Sequence, residues 1–96
     1  MNYNLNKKPT PFQILVWNEI KKIPAGKTKS YYEIAIILGK PGAARAVANA
    51  CGQNPYPIKV PCHRVIRSDG SLGGYSGPGG VKMKKLLLDN EKTQRM

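Results

Sequence analysis

Along the first third of the chain, apolar residues recur at helical spacing. Phe12, Leu15, Val16, Trp17, Ile20 and Ile23 follow at three- and four-residue intervals, which predicts a helix burying a broad stripe with Trp17 in the core. Thr10-Pro11-Phe12-Gln13 opens it with an N-cap hydroxyl, a proline whose missing N–H costs nothing and a glutamine placed to close a capping box, and Pro24-Ala25-Gly26 ends it. Ser30 and Glu33 form a second capping box, predicting a helix from Tyr31 to Leu38 that Gly39 stops. After the turn Lys40-Pro41-Gly42, the alanine-rich run Ala43 to Cys51 predicts a third helix ending at Gly52. The small Ala35 and the turn glycine Gly39 let the second and third helices cross closely, as in a helix-turn-helix, although such pairs also occur in plain bundles.

The pattern then loosens. Residues 53 to 57 turn sharply, and 58 to 66 are rich in β-branched side chains but broken by Pro61, which predicts an irregular extended segment. Ser68-Asp69-Gly70-Ser71 reads as a hairpin turn leading into a glycine-rich loop, 72 to 80, that could approach a ligand. That loop lacks the lysine of a phosphate-binding loop. A last helix is expected from Val81 to Glu91, with Met83, Leu86 and Leu87 inward and Lys82, Lys84 and Lys85 outward. The expected fold is mostly α with a small irregular β or hairpin element. Residues 1 to 8 read as a flexible basic arm, and 9 to 96 as a single domain.

Charge changes the picture most. Sixteen Lys and Arg against five Asp and Glu give a formal charge of +11, far beyond what solubility asks for, which points to a polyanionic partner and first to nucleic acid. The longest apolar run, residues 34 to 38, is too short for a membrane-spanning helix, and the N-terminus does not read as a secretory signal, so a cytoplasmic protein is expected. On the third helix the accessible face is nearly all alanine around one long side chain, Arg45. It reads either as a surface meant for close approach or as a core helix with Arg45 in a surface salt bridge. Two cysteines with one histidine, His63, indicate neither a disulfide framework nor a metal site.

Cys62 stands between Pro61 and His63 on the irregular segment. A thiol, with a pKa of about 8.5 when free, becomes a nucleophile when a neighbouring base or cation favours the thiolate, and His63 and Arg64 follow it directly. On a regular strand His63 would face the other way, so pairing with Cys62 needs a backbone kink or a bridging water. Cys51, within the alanine-rich helix, reads as a small buried apolar residue.

Pro61-Cys62-His63-Arg64-Val65, preceded by Asn54-Pro55 and followed by Gly74-Tyr75-Ser76-Gly77, resembles the active-site signature of the O6-alkylguanine-DNA alkyltransferases. The resemblance extends from Thr10 to Glu91 and includes Ser30-Tyr31, Ala43-Ala44-Arg45-Ala46-Val47 and the terminal Leu86-Leu87-Leu88 helix. It implies a winged helix-turn-helix-like active-site domain that flips O6-alkylguanine out of duplex DNA and moves the alkyl group irreversibly onto Cys62, once per molecule and without a cofactor. His63 would take the thiol proton through a water, Glu91 would orient His63, and Asn54 would brace the turn. Tyr31 would donate a hydrogen bond or proton to the leaving guanine. Arg45 would fill the vacated stack, with Ser30, Tyr31, Ala43, Ala44 and Ala46 completing a minor-groove surface of little sequence specificity. Gly74, Tyr75, Ser76 and Val65 would line the base pocket. The resemblance further implies a monomer in solution that could bind DNA cooperatively. Many members carry an additional N-terminal domain, whereas about nine residues precede the first predicted helix here. Two other readings stay open: a damage-binding relative that flips bases without repairing them, and a small helix-turn-helix regulator.

Overall fold

The computed structural model describes residues 9–55, 59–75 and 79–94, so the basic arm over 1–8 lies outside the described residues. Helix α1 spans Pro11–Lys21, β1 Lys29–Ser30, α2 Tyr31–Ile37, α3 Ala44–Gly52, a 3-10 turn Cys62–Arg64, β2 Val65–Ile66 and α4 Gly80–Gln94. The fold is mostly α, with a two-stranded sheet beside the helix pair.

Both capping boxes form. Thr10 Oγ1 accepts from the Gln13 N–H at 3.1 Å while Gln13 Oε1 accepts from the Thr10 N–H at 2.9 Å, and Ser30 and Glu33 repeat the arrangement at 2.9 and 2.7 Å. Val16 and Ile20 of α1, with Ile23 just beyond it, enter a core shared with Ile34, Ala35, Val47, Ala50, Val60 and Val65. Leu15 does not join them, being 48% exposed, because its neighbour Val16 already occupies the inward direction and adjacent helical positions diverge by about 100°. Trp17 packs against the core edge rather than within it, and its Nε1–H donates to the Ala50 carbonyl at 2.9 Å, tying α1 to α3.

The α2–α3 pair is a helix-turn-helix. Ala35 is fully buried where the two approach. Helix α2 closes in a Schellman arrangement: Gly39, at φ 75°, donates to the Ile36 carbonyl and Lys40 to that of Ala35, both at 2.9 Å. An L side chain at position 39 would strain that left-handed turn.

Two expectations are corrected in the second half. The turn at Ser68–Ser71 forms, with Asp69 Oδ1 accepting from the Ser71 N–H and Oγ, but it closes no hairpin among the described residues. Val65 and Ile66 pair instead in parallel with Lys29 and Ser30, so the segment leading into α2 is stitched to the segment carrying Cys62. The chain after the turn does not become a strand because its carbonyls are taken by a side chain. Lys84, expected outward, is fully buried, and its ammonium donates to the carbonyls of Val65 at 2.7 Å, Gly74 at 3.0 Å and Leu72. Three N–H donors meet three carbonyls, which is how a buried cation is tolerated. The phase of α4 is thereby set by Lys84, Leu88 and Glu91. Met83 and Leu86, expected inward, are 37% and 54% exposed, and Leu87 is half-buried. Among the described residues no helix is long and apolar enough to cross a membrane.

Candidate active site

Cys62 opens the 3-10 turn. Its N–H donates to the Val60 carbonyl at 2.7 Å and that of Arg64 to Pro61 at 2.9 Å, so the proline produces the kink that a regular strand would lack. Buried Asn54 braces this turn from the end of α3: its Nδ2 donates to the Val60 carbonyl at 2.8 Å and approaches Cys62 Sγ at 3.4 Å. Cys62 is only 3% exposed, yet it lines a cleft of about 330 Å³ together with Tyr31, Ala48, Cys51, Gly52, Arg67, Gly73, Gly74 and Tyr75. A thiol in this position is shielded from bulk solvent but open to a group that enters the cleft.

The residues that follow Cys62 do not turn toward it. His63 Nε2 lies 2.8 Å from Glu91 Oε2, and Arg64 forks the same carboxylate through Nε at 3.0 Å and Nη2 at 2.7 Å. Arg64 Nη1 also donates to the Ile23 carbonyl at 2.7 Å. Burial works to raise the Glu91 carboxyl, but the hydrogen bonds from Arg64 and His63 outweigh it and hold it at about 2. Glu91 is therefore ionised and only accepts, which places a proton on His63 Nε2, and in the neutral imidazole the lone pair is then on Nδ1. His63 is 1% exposed, and its Nδ1 makes no hydrogen bond among the described residues. Thus the base expected beside the thiol is oriented by Glu91 and is not directly bonded to Cys62, and the expected cation, Arg64, serves the carboxylate.

The cleft walls come from three elements. Tyr31, first residue of α2, has its hydroxyl pushed up to about 12, by burial foremost and then by the two cysteines, so it stays protonated and can donate. A Cβ at Gly73, which has φ 70°, would fall 2.9 Å from that hydroxyl, so glycine is what lets the loop pass against the tyrosine. Tyr75 meets the His63 ring edge-on, with centroids 6.5 Å apart, and burial raises its hydroxyl. The Lys84 ammonium lies 5.8 Å from the Tyr31 ring centroid while it clamps the carbonyls of Leu72 and Gly74, so one side chain locates both walls. Cys51 is buried as expected, and burial, with the Cys62 charge, pushes its thiol up to about 12.

Of the expected site residues, Cys62, His63, Glu91, Asn54, Tyr31, Gly74 and Tyr75 are brought together. Val65 is not: it is fully buried in the core and absent from the cleft wall, because its side chain faces the helices while its carbonyl serves Lys84. Ser76 lies outside the described residues. Arg45 and Ala46 are exposed near the start of α3, Ala43 and Ala44 are half-buried there, and among the described residues Arg45 makes no ion pair. Ser30 is buried, with its hydroxyl engaged in the α2 cap. Sequence reading missed Lys84, Arg67, Gly73 and the second role of Cys51 as a cleft residue. The spacing of Lys84 with Leu88 and Glu91, at helical positions i, i+4 and i+7, was the available signal for the first. Arg67 carried none.

Fold and site together define a helix-turn-helix domain built around a cysteine cleft. The chain belongs to the family described as 6-O-methylguanine DNA methyltransferase, DNA binding domain, whose model matches residues 11–93. It is 58% identical over 83 residues to the inducible methylated-DNA–protein-cysteine methyltransferase of Bacillus subtilis, covering 86% of this chain and 45% of that protein. It is similar to the structure of Mycobacterium tuberculosis OGT in complex with DNA, with a TM-score of 0.86 and 52% identity, covering 91% of this chain and 53% of that one. It is also similar to S. pombe Atl1 in complex with damaged DNA containing O6-carboxymethylguanine, with a TM-score of 0.76 and 33% identity, covering 88% of this chain and 79% of that one. The chain spans about half the length of the curated methyltransferases it matches.

Proposed function

We propose that this chain repairs duplex DNA directly by taking the alkyl group of O6-alkylguanine onto Cys62. The single observation that carries the reading is the placement of Cys62 on a cleft walled by Tyr31 and Tyr75, with Asn54 on the thiol and a His63–Glu91 pair behind it. The relatives' names and the solved complexes with DNA support the same conclusion.

Helix α3 enters the minor groove, where its small alanines permit close approach and +11 of charge supplies affinity without sequence reading. Extrusion of the base costs a few kcal/mol of stacking and pairing, and the exposed Arg45 fills the space. The extruded guanine enters the cleft. His63 Nδ1 takes the Cys62 proton through a water, and Glu91 stabilises the imidazolium that forms, as a carboxylate does for a general base. The thiolate lone pair then forms an S–C bond to the alkyl carbon, the C–O6 bond breaks, and its electron pair stays on the purine. Tyr31, still protonated, donates to the departing guanine. The thioether is stable, so each molecule acts once and needs no cofactor. Residues 9–96 work as a single domain, as a monomer in the cytoplasm that is able to bind neighbouring sites cooperatively.

The test is the mass of the Cys62 peptide after incubation with a duplex containing O6-methylguanine. One added methyl, with one turnover per protein, is expected, and an unmodified peptide overturns the reading. Cys62→Ala abolishes transfer and keeps duplex affinity, whereas Arg45→Ala slows transfer. A Cys62→Ala protein that still removes the lesion would place the nucleophile elsewhere.

A further inference from the structure

The cleft beside Cys62 has one charged side chain among its described lining residues, Arg67. A second cation comes near, because Lys84 lies by the Tyr31 ring. Its three donors are already committed to the carbonyls of Val65, Leu72 and Gly74, so it has none left for a ligand. Arg67 differs. Its backbone is pinned by the turn, with its N–H donating to the Ser71 carbonyl and its carbonyl accepting from Gly70, both at 3.0 Å. Its side chain is exposed and makes no ion pair among the described residues. Asp69, the nearest acid along the chain, is held by the Ser71 N–H and hydroxyl, and it feels the Arg67 charge without forming an ion pair with it. The guanidinium also works to lower the Tyr31 hydroxyl against burial, so its field reaches the position where the leaving purine is received.

We propose that Arg67 sets the preference of this cleft among O6 adducts, favouring transferred groups that carry a carboxylate, such as carboxymethyl, over uncharged groups of the same size. The inference rests on the alkyl-transfer reading. Moving a carboxymethyl group brings the Cys62 thiolate toward a carbon bonded to a carboxylate, so two negative charges must approach within a cleft where water screens poorly. The thiolate lone pair forms the S–CH₂ bond, the CH₂–O6 bond breaks with its electron pair left on guanine, the purine takes a proton from the Tyr31 hydroxyl, which solvent then restores, and the carboxylate remains on the new thioether. A guanidinium at the cleft wall forks that carboxylate and offsets the repulsion as it grows. A neutral group gains nothing from it.

The experiment compares single-turnover transfer from two duplexes, one with O6-carboxymethylguanine and one with its uncharged carbamoylmethyl amide. The readout is the ratio of the two rates, which cancels any loss of folding or DNA binding common to both. Arg67→Gln lowers that ratio about tenfold or more, as expected for losing a charge-assisted pair, and Arg67→Lys, which keeps the charge but cannot fork the carboxylate, recovers only part of it. A ratio unchanged in Arg67→Gln overturns the inference, even if both rates fall together. The wild type is also tested on O6-methylguanine: no transfer there sinks the alkyl-transfer reading itself, whereas methyl transfer with an Arg67-independent ratio sinks this inference alone.

Discussion

Glu91 receives one hydrogen bond from His63 and two from Arg64, and this concentration of donors makes its protonation state a property of the fold. The folded protein holds it at about 2, while the unfolded chain returns it to its ordinary 4.5. A depressed carboxyl contributes stability that is complete above the unfolded value and lost as pH falls toward the folded one. Stability should therefore decline between about pH 4.5 and pH 2 in part through this group. Glu91→Gln should be less stable at neutral pH by about 2 kcal/mol and should show a shallower acid-side decline, read from urea midpoints across that window. Equal slopes in the two proteins would mean that other carboxylates govern acid unfolding. None of this was visible in spacing, since 28 residues separate the partners and only the family resemblance joined His63 to Glu91. Lys84 shows the opposite difficulty. A lysine in a basic helix reads as solvated, and what overrides that is a need for donors in a loop that is far away in sequence.

Short elements here depend on their ends. Helix α2 has seven residues, well below the length at which an isolated helix holds itself together, so its cap matters more than its propensity. Ser30→Ala removes the hydroxyl that accepts the Glu33 N–H and should cost about 1 kcal/mol in urea unfolding, with Ser30→Thr recovering most of it. No loss in the alanine variant would mean that tertiary contacts alone hold the helix. Caps of this kind were legible because every participant lies within four residues. The parallel pairing of Lys29–Ser30 with Val65–Ile66 was not, because two-residue strands carry no periodicity and their partners are set by where the intervening helices deliver them. The hairpin expected at Ser68–Ser71 had a correct turn and a wrong continuation for the same reason. A turn is local chemistry, but a second strand needs carbonyls that are not already claimed.

For the molecule as a whole, the charge of +11 was readable from composition and predicts how binding behaves before any contact is known. If roughly 6 to 10 phosphates are contacted, duplex affinity should fall by about 10³ to 10⁵ between about 50 and 200 mM salt. A flat response in a fluorescence titration would contradict electrostatic binding. Composition could not say which face meets the DNA. The proposed α3 face rests on the helix-turn-helix, which leaves Arg45 exposed, while α4 keeps Lys84 inside. Arg64 joins the scales, since it holds Glu91 near the end of α4 and the Ile23 carbonyl at the exit of α1. Helix ends fray before their middles. Unwinding the last turn of α4 would therefore release His63 and Arg64 together, so a loosened helix terminus would be felt at once in the segment that carries the sulfur.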